Sequence, residues 1–321
     1  MLDILLEDEF YSKKFYFSYS GLNKLLFSPS VFYRHYILNQ QEDKTDAHLI
    51  EGRLMHCLLL DEASFHKQFV IMPGSVPSGP TKLVLDAVYK KALELNVDLD
   101  LNKLSDLVLD AMKDFNFHQR LKTDQQRLDK IVTDDAVSYF QFLGAKKGRD
   151  IIDDETLERI KNYVGVITSN SKMMYTLNGV RDKTVIQVNS EVPLSRELPG
   201  YTFGIKGIVD RIVEYDDSIH VIDFKTTNKT LSEFKETVEY YNYWLQAAIY
   251  LKLVLSITDK PVKFSFVTID KYQQVYEFEV SATSMVEWMS RMDEKLAIAK
   301  YHYDTRQYNL PYEFAINQVK L

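Results

Sequence analysis

The stretch Gly207–Thr227, GIVDRIVEYDDSIHVIDFKTT, constrains the fold more tightly than any other part of the chain. Apolar, β-branched runs flank Asp216 and Asp217, the pattern of two strands joined by a tight hairpin. Yet Asp210, Asp223 and Lys225 sit inside those runs, where burial of unpaired charge is costly. If Asp216-Asp217 is a two-residue loop, Tyr215 pairs with Ser218 and Asp210 lies directly opposite Asp223. Opposed Cβ atoms on one face are about 4.5–5.5 Å apart, and Lys225, two residues on, shares the face of Asp223. Carboxylates so placed repel unless a cation lies between them. A hard divalent ion such as Mg²⁺ takes carboxylate oxygens while keeping waters. It can activate one of those waters and screen a phosphate, beside which an ammonium stabilises developing charge. The plainer reading of the trio is an ion pair between Lys225 and one aspartate at a strand end.

Composition narrows the setting. The single cysteine, Cys57, excludes an internal disulfide and a four-cysteine iron–sulfur cluster. It predicts a reducing compartment. The N-terminus MLDILLEDEFYSKKF lacks the pattern of a signal peptide or anchor. No apolar run reaches the roughly 18 residues of a membrane span. A net charge of −7 gives no general attraction to nucleic acid, so DNA contact calls for a local basic patch or bound metal.

Up to about Arg181 the patterns are helical, notably in residues 18–38, 47–60 and 153–170, with MPGSVPSGPT at 72–81 as a loop. Beyond it come three strands, a helix over roughly 231–255, the strands VKFSFVTID and QVYEFEVS, and a closing helix. This order predicts an α/β fold, a central mixed sheet flanked by helices, with a large helical N-terminal elaboration. The expected division is 1–74, a helical part carrying His56; 75–180, a helical insertion; and 181–321, the core, all within one compact domain.

Four short motifs follow in order: Gly52-Arg-Leu-Met-His56, Gly207-Ile-Val-Asp210, Asp223-Phe224-Lys225 and Gln246-Ala-Ala-Ile-Tyr250. As G-x-x-x-H, G-x-x-D, D-x-K and Q-x-x-x-Y they resemble the PD-(D/E)XK nuclease superfamily, RecB-type branch, whose core is restriction-endonuclease-like. YSGLNKLLFSPSVFYRHYI at 19–37 is similar to the opening helices of phage and RecE-type exonucleases, while residues 75–180 find no counterpart. The resemblance implies that Asp210, Asp223, His56 and the backbone carbonyl of Phe224 ligate Mg²⁺, with Mn²⁺ as a substitute. Lys225 would be the catalytic lysine and Glu191 a further catalytic acid. Gln246 and Tyr250 would touch DNA or order the lysine, and Ser20 and Arg34 would lie along the DNA path. Gly52 would permit a close backbone approach.

The implied function is a metal-dependent exonuclease that hydrolyses DNA from its ends in phage or bacterial recombination and repair. The implied partners are DNA with free ends, a single-strand annealing protein and further copies of the chain. Two alternatives remain at this point: a single-strand-specific DNA nuclease similar to mitochondrial genome maintenance exonuclease, and a nuclease-fold protein that only binds. The basic groups Lys146, Lys147 and Arg149, and Arg120, Lys122, Arg127 and Lys130, read as solvated helix faces. Cys57 reads as core.

Overall fold

The computed structural model describes residues 2–40, 47–179, 183–317 and 319; the change of character near Arg181 lies outside them. Two compact units form. One joins Met1–Asp46 to Tyr163–Leu321, and the other is Ala47–Asn162. The helix Ala47–Leu60, which carries His56, thus groups with the segment that follows it. This is a different cut from boundaries at 74/75 and 180/181.

The first unit is built on a mixed sheet flanked by helices. Its strands are β1 (Tyr16–Phe17), β4 (Val185–Glu197), β5 (Gly204–Tyr215), β6 (Ile219–Thr227), β7 (Val262–Asp270) and β8 (Val275–Glu279). The second unit contributes a short parallel pair, β2 (Phe69–Ile71) with β3 (Asp150–Ile152). Its own core joins Val84, Leu85 and Val88 to Val108, Met112 and Phe140 from later helices. Cys57 is buried.

The hairpin has the register that its two-residue loop dictates. The Tyr215 amide donates to the Ser218 carbonyl at 2.8 Å, and pairing runs from Glu214–Ile219 to Arg211–Ile222. β6 then runs parallel to β7, from Ile219–Val262 to Thr227–Asp270. Parallel neighbours need a crossover, and here it contains the helices Phe234–Tyr240 and Tyr243–Val254. The second of these, YWLQAAIYLKLV, is apolar on nearly every side, which suits a helix sandwiched between layers. It shares a core with Ile205 and Val209 of β5, Phe264 and Phe266 of β7, and Met292 and Leu296 of the helix Ala282–Thr305.

The sheet forks at β5. β4 pairs with β5 from Gly204 to Tyr215 and so occupies one edge along its whole length. The other edge is divided: β6 takes Arg211–Glu214, while the parallel strand β1 takes Gly204 and Ile205. Between those stretches β6 has left β5, and Asp210 stands at the point of departure.

A polar network is buried elsewhere in the sheet. Glu277 accepts from Thr176 at 2.7 Å and from Ser265 at 3.0 Å, and Ser265 Oγ lies 2.9 Å from His220 Nε2. Burial holds the His220 imidazole below its usual pKa, with Glu277 opposing. Burial does the same at His302, against the Gln307 carbonyl. A depressed folded-state pKa stabilises the fold above the unfolded histidine pKa of about 6.5, and that contribution is lost as pH falls. The thermal midpoint should therefore drop between about pH 7.5 and about pH 5.5, and His220→Gln should shrink the drop, as read by calorimetry.

Candidate active site

Three acidic residues lie level across three adjacent strands. Ser190 pairs with Arg211 and Val192 with Val209, which sets Glu191 of β4 opposite Asp210 of β5. The hairpin register sets Asp223 of β6 on the other side of Asp210, although the ladder proper ends one pair earlier. The reason is that Asp210 Oδ2 accepts the Phe224 amide at 2.7 Å. A side-chain carboxylate thus takes the amide just beyond the last backbone pair.

The β4–β5 ladder is interrupted at this level, where no pair forms between Ser190–Arg211 and Val192–Val209. Ile205 and Val209 on one side of Asp210, and Ile212 on the other, all enter the same core. Val209 and Asp210, though consecutive, are both buried. Opposite them, Glu191 has φ of 50°, the left-handed region that a residue with a Cβ rarely adopts. Such strain costs on the order of 1–3 kcal/mol and gathers at functional sites.

Asp210 is 5 % exposed and Asp223 fully buried. Lys225 forms an ion pair with Asp223, and its side chain is 10 % exposed. Its Nζ also donates to the Phe224 carbonyl at 3.3 Å and lies 4.9 Å from the centre of the Tyr243 ring. Burial alone would lower the Lys225 pKa, but Asp223 and Asp210 outweigh it and raise the net value. The lysine is therefore an ammonium. One oxygen of Glu191 and one of Asp210 lie within 4.8 Å of each other. Convergent carboxylates at a nearly dry position suit a hard, oxygen-seeking divalent cation.

Gly207 is required by close packing. A Cβ there would lie 2.7 Å from the Tyr250 ring, so the missing side chain lets the helix Tyr243–Val254 approach β5. Gln246 Nε2 donates to the Tyr250 hydroxyl at 2.9 Å. Burial, then Asp210 and Asp223, push the Tyr250 phenol well up, which keeps it a neutral donor near the acidic row. Gly52 differs, because among the described residues an added Cβ would meet nothing within 4 Å.

Two tyrosines join the site without a motif to announce them. The Tyr19 hydroxyl donates to the Tyr241 carbonyl. Burial raises its pKa, with Tyr243 and Asp223 adding to the effect. Tyr243 carries Lys225 over its ring. The only sequence signal for either is the aromatic density of YYNYW and of YFSYS. Ser20, adjacent to Tyr19, is exposed and has its Oγ 3.0 Å from that of Ser18. Arg34 is exposed in the π-helical turn Tyr33–Ile37 and, among the described residues, makes no hydrogen bond or ion pair with the acidic row. His56 is half-buried on the helix Ala47–Leu60 of the second unit. Arg127, one of the basic candidates, binds Asp124 and the Leu121 carbonyl.

A family model described as the PD-(D/E)XK nuclease superfamily matches residues 16–310. The chain belongs to that superfamily. The crystal structure of a "Putative exonuclease" from Eubacterium rectale resembles the fold with a TM-score of 0.46 and 14% identity, over 89% of this chain and 81% of the other. A second crystal structure, of the protein SSO0001, has a TM-score of 0.26 and 16% identity, over 67% and 85%. No curated protein matches the sequence. Asp223 and Lys225 are the ends of the D-x-K pattern and Asp210 ends G-x-x-D, while the Gly207–Tyr250 contact joins G-x-x-D to Q-x-x-x-Y.

Two substitutions test this geometry. Gly207→Ala should cost about 1–3 kcal/mol by overpacking, read as a lower urea midpoint, and the penalty should shrink in a Tyr250→Leu background. Glu191→Gly should be more stable than Glu191→Ala by about 1 kcal/mol, because only glycine enters the left-handed region without a steric penalty.

Proposed function

We propose that the chain is a metal-dependent DNA exonuclease that hydrolyses phosphodiester bonds from DNA ends, in phage or bacterial recombination and repair. The observation that carries this reading is the level row of Glu191, Asp210 and Asp223 with a charged lysine paired to its last member. A module that only binds DNA gains nothing from burying such a set.

In this reading Asp210, Asp223 and Glu191 hold Mg²⁺, or Mn²⁺ in its place, with the Phe224 carbonyl and His56 completing the set by analogy with the family motifs. When bound, the ion lowers the pKa of a coordinated water and neutralises charge on the phosphate. The protein's own groups do the rest. Lys225, kept as an ammonium by its carboxylate neighbours, stands ready to orient the attacking water and to stabilise charge that develops on the phosphoryl oxygens. Asp223 fixes that ammonium, and the Tyr243 ring limits its swing. Asp210 acts twice, accepting the Phe224 amide and presenting a carboxylate oxygen beside that of Glu191. Gln246 steers the Tyr250 hydroxyl.

Lys225→Ala should remove cleavage and leave DNA affinity nearly unchanged, because the lysine acts on the transition state and one lost cation scarcely alters binding. Asp223→Asn should also weaken Mg²⁺ binding, measured by titration calorimetry. A chain of pI about 5.6 is poorly suited to capturing duplex DNA along a broad surface. End-labelled linear DNA with Mg²⁺ should therefore be degraded to nucleotides or short oligomers, while covalently closed circles survive. Equal rates on closed circles would make the enzyme an endonuclease, and wild-type turnover by Lys225→Ala would remove the lysine from the mechanism.

A further inference from the structure

We propose that Tyr240 and Tyr241 form a base-stacking track, joined through the Tyr243 ring to Lys225, that leads a single-stranded DNA end to the acidic row. This deepens the nuclease reading and rests on it. Tyr240 and Tyr241 are 75 % and 47 % exposed where the helix Phe234–Tyr240 ends. Their rings meet edge to face at 4.9 Å, and Tyr241 stacks on Tyr243 at 5.6 Å and 25°. Tyr243 in turn lies under Lys225 Nζ. The rings therefore form a connected series from solvent to the ammonium of the acidic row.

The track is held rigid. Asn242, between the two helices, adopts a left-handed conformation with φ of 57°. Its side chain accepts from Trp244 Nε1 at 3.1 Å and donates to Asn23 at 2.8 Å. The neighbouring Tyr241 carbonyl is taken by Tyr19. A bent segment fixed by three side-chain bonds presents the exposed Tyr240 and Tyr241 rings at a reduced ordering cost.

The charge pattern indicates the occupant. Exposed Lys229 lies 5.7 Å from the centre of the Tyr240 ring, which puts a cation at the outer end of the track as Lys225 does at the inner end. The nearest acid in sequence, Glu239, is neutralised by Arg291 at 2.8 Å. Flat aromatic faces with flanking cations are how proteins bind unpaired strands, each base stacking on a ring while its phosphate meets a lysine. Bases in a duplex are already stacked on one another and present only their edges, so the occupant is single-stranded.

The experiment measures binding without catalysis, by fluorescence anisotropy of labelled oligonucleotides in EDTA with the full chain. Tyr240→Leu and Tyr241→Leu should each weaken binding of a single-stranded oligonucleotide by about tenfold, in line with the loss of one stacked base. Tyr240→Trp and Tyr241→Trp should keep it. A backbone of the same length made of abasic sites should bind the wild type and the leucine variants equally. Leucine variants with wild-type affinity, or an equal loss on the abasic strand, would overturn the track. Failure of the nuclease reading is separately visible: wild type that shows this pattern of binding but cuts no DNA with Mg²⁺ or Mn²⁺ would keep the track and lose the enzyme.

Discussion

The hydrogen bond from the Phe224 amide to Asp210 is the contact on which the site depends. At that level β6 leaves β5, and the amide would otherwise be a buried donor without its ladder partner. An unmet buried amide costs about 1–3 kcal/mol. The Asp210 carboxylate removes that cost and thereby fixes the backbone between Asp223 and Lys225. The same side chain that closes the fork is the central acid of the row. Fold and chemistry meet in one carboxylate, so the two cannot be altered independently at this position.

The fork also explains how so much charge is tolerated in a sheet. Parting strands leave room between β5 and β6 that an unbroken ladder would fill with backbone. Asp223 answers Lys225, and the Tyr243 ring covers the ammonium. Strain at Glu191 is the counterpart of this arrangement. The regular pairs on either side, Ser190 with Arg211 and Val192 with Val209, hold that residue opposite Asp210.

The hairpin was legible because a two-residue loop between apolar runs leaves only one register. The mixed sheet was legible for a related reason: a hairpin makes β5 and β6 antiparallel, and the helical segment before β7 is long enough for the crossover that parallel neighbours need. Other features depend on distant packing. Nothing in NSEVPL announces a left-handed glutamate, since glutamate has no preference for that region. Tyr19 reaches the site only because its helix docks where Asn23 meets Asn242. Gly52 and Gly207 look alike as motif glycines, yet only Gly207 faces a ring that a Cβ would strike. The apolar helix Ala47–Leu60 declares that it is buried but not which core it joins.

The first unit is discontinuous, and this bears on how the chain reaches its native state. β1 comes from before the second unit and pairs with β5 from after it, Tyr16 with Gly204 and Phe17 with Ile205. That pairing closes a loop containing the whole of Ala47–Asn162. Closure over a flexible loop costs more as the loop lengthens, by about 0.6 kcal/mol per doubling. The inserted unit is contiguous and has a core of its own, so it can collapse from local contacts alone. Once it has done so, fewer flexible residues remain in the loop that the β1–β5 pairing must close. Synthesis from the N-terminus favours this order, since β1 must wait for β5 while everything between them is already made.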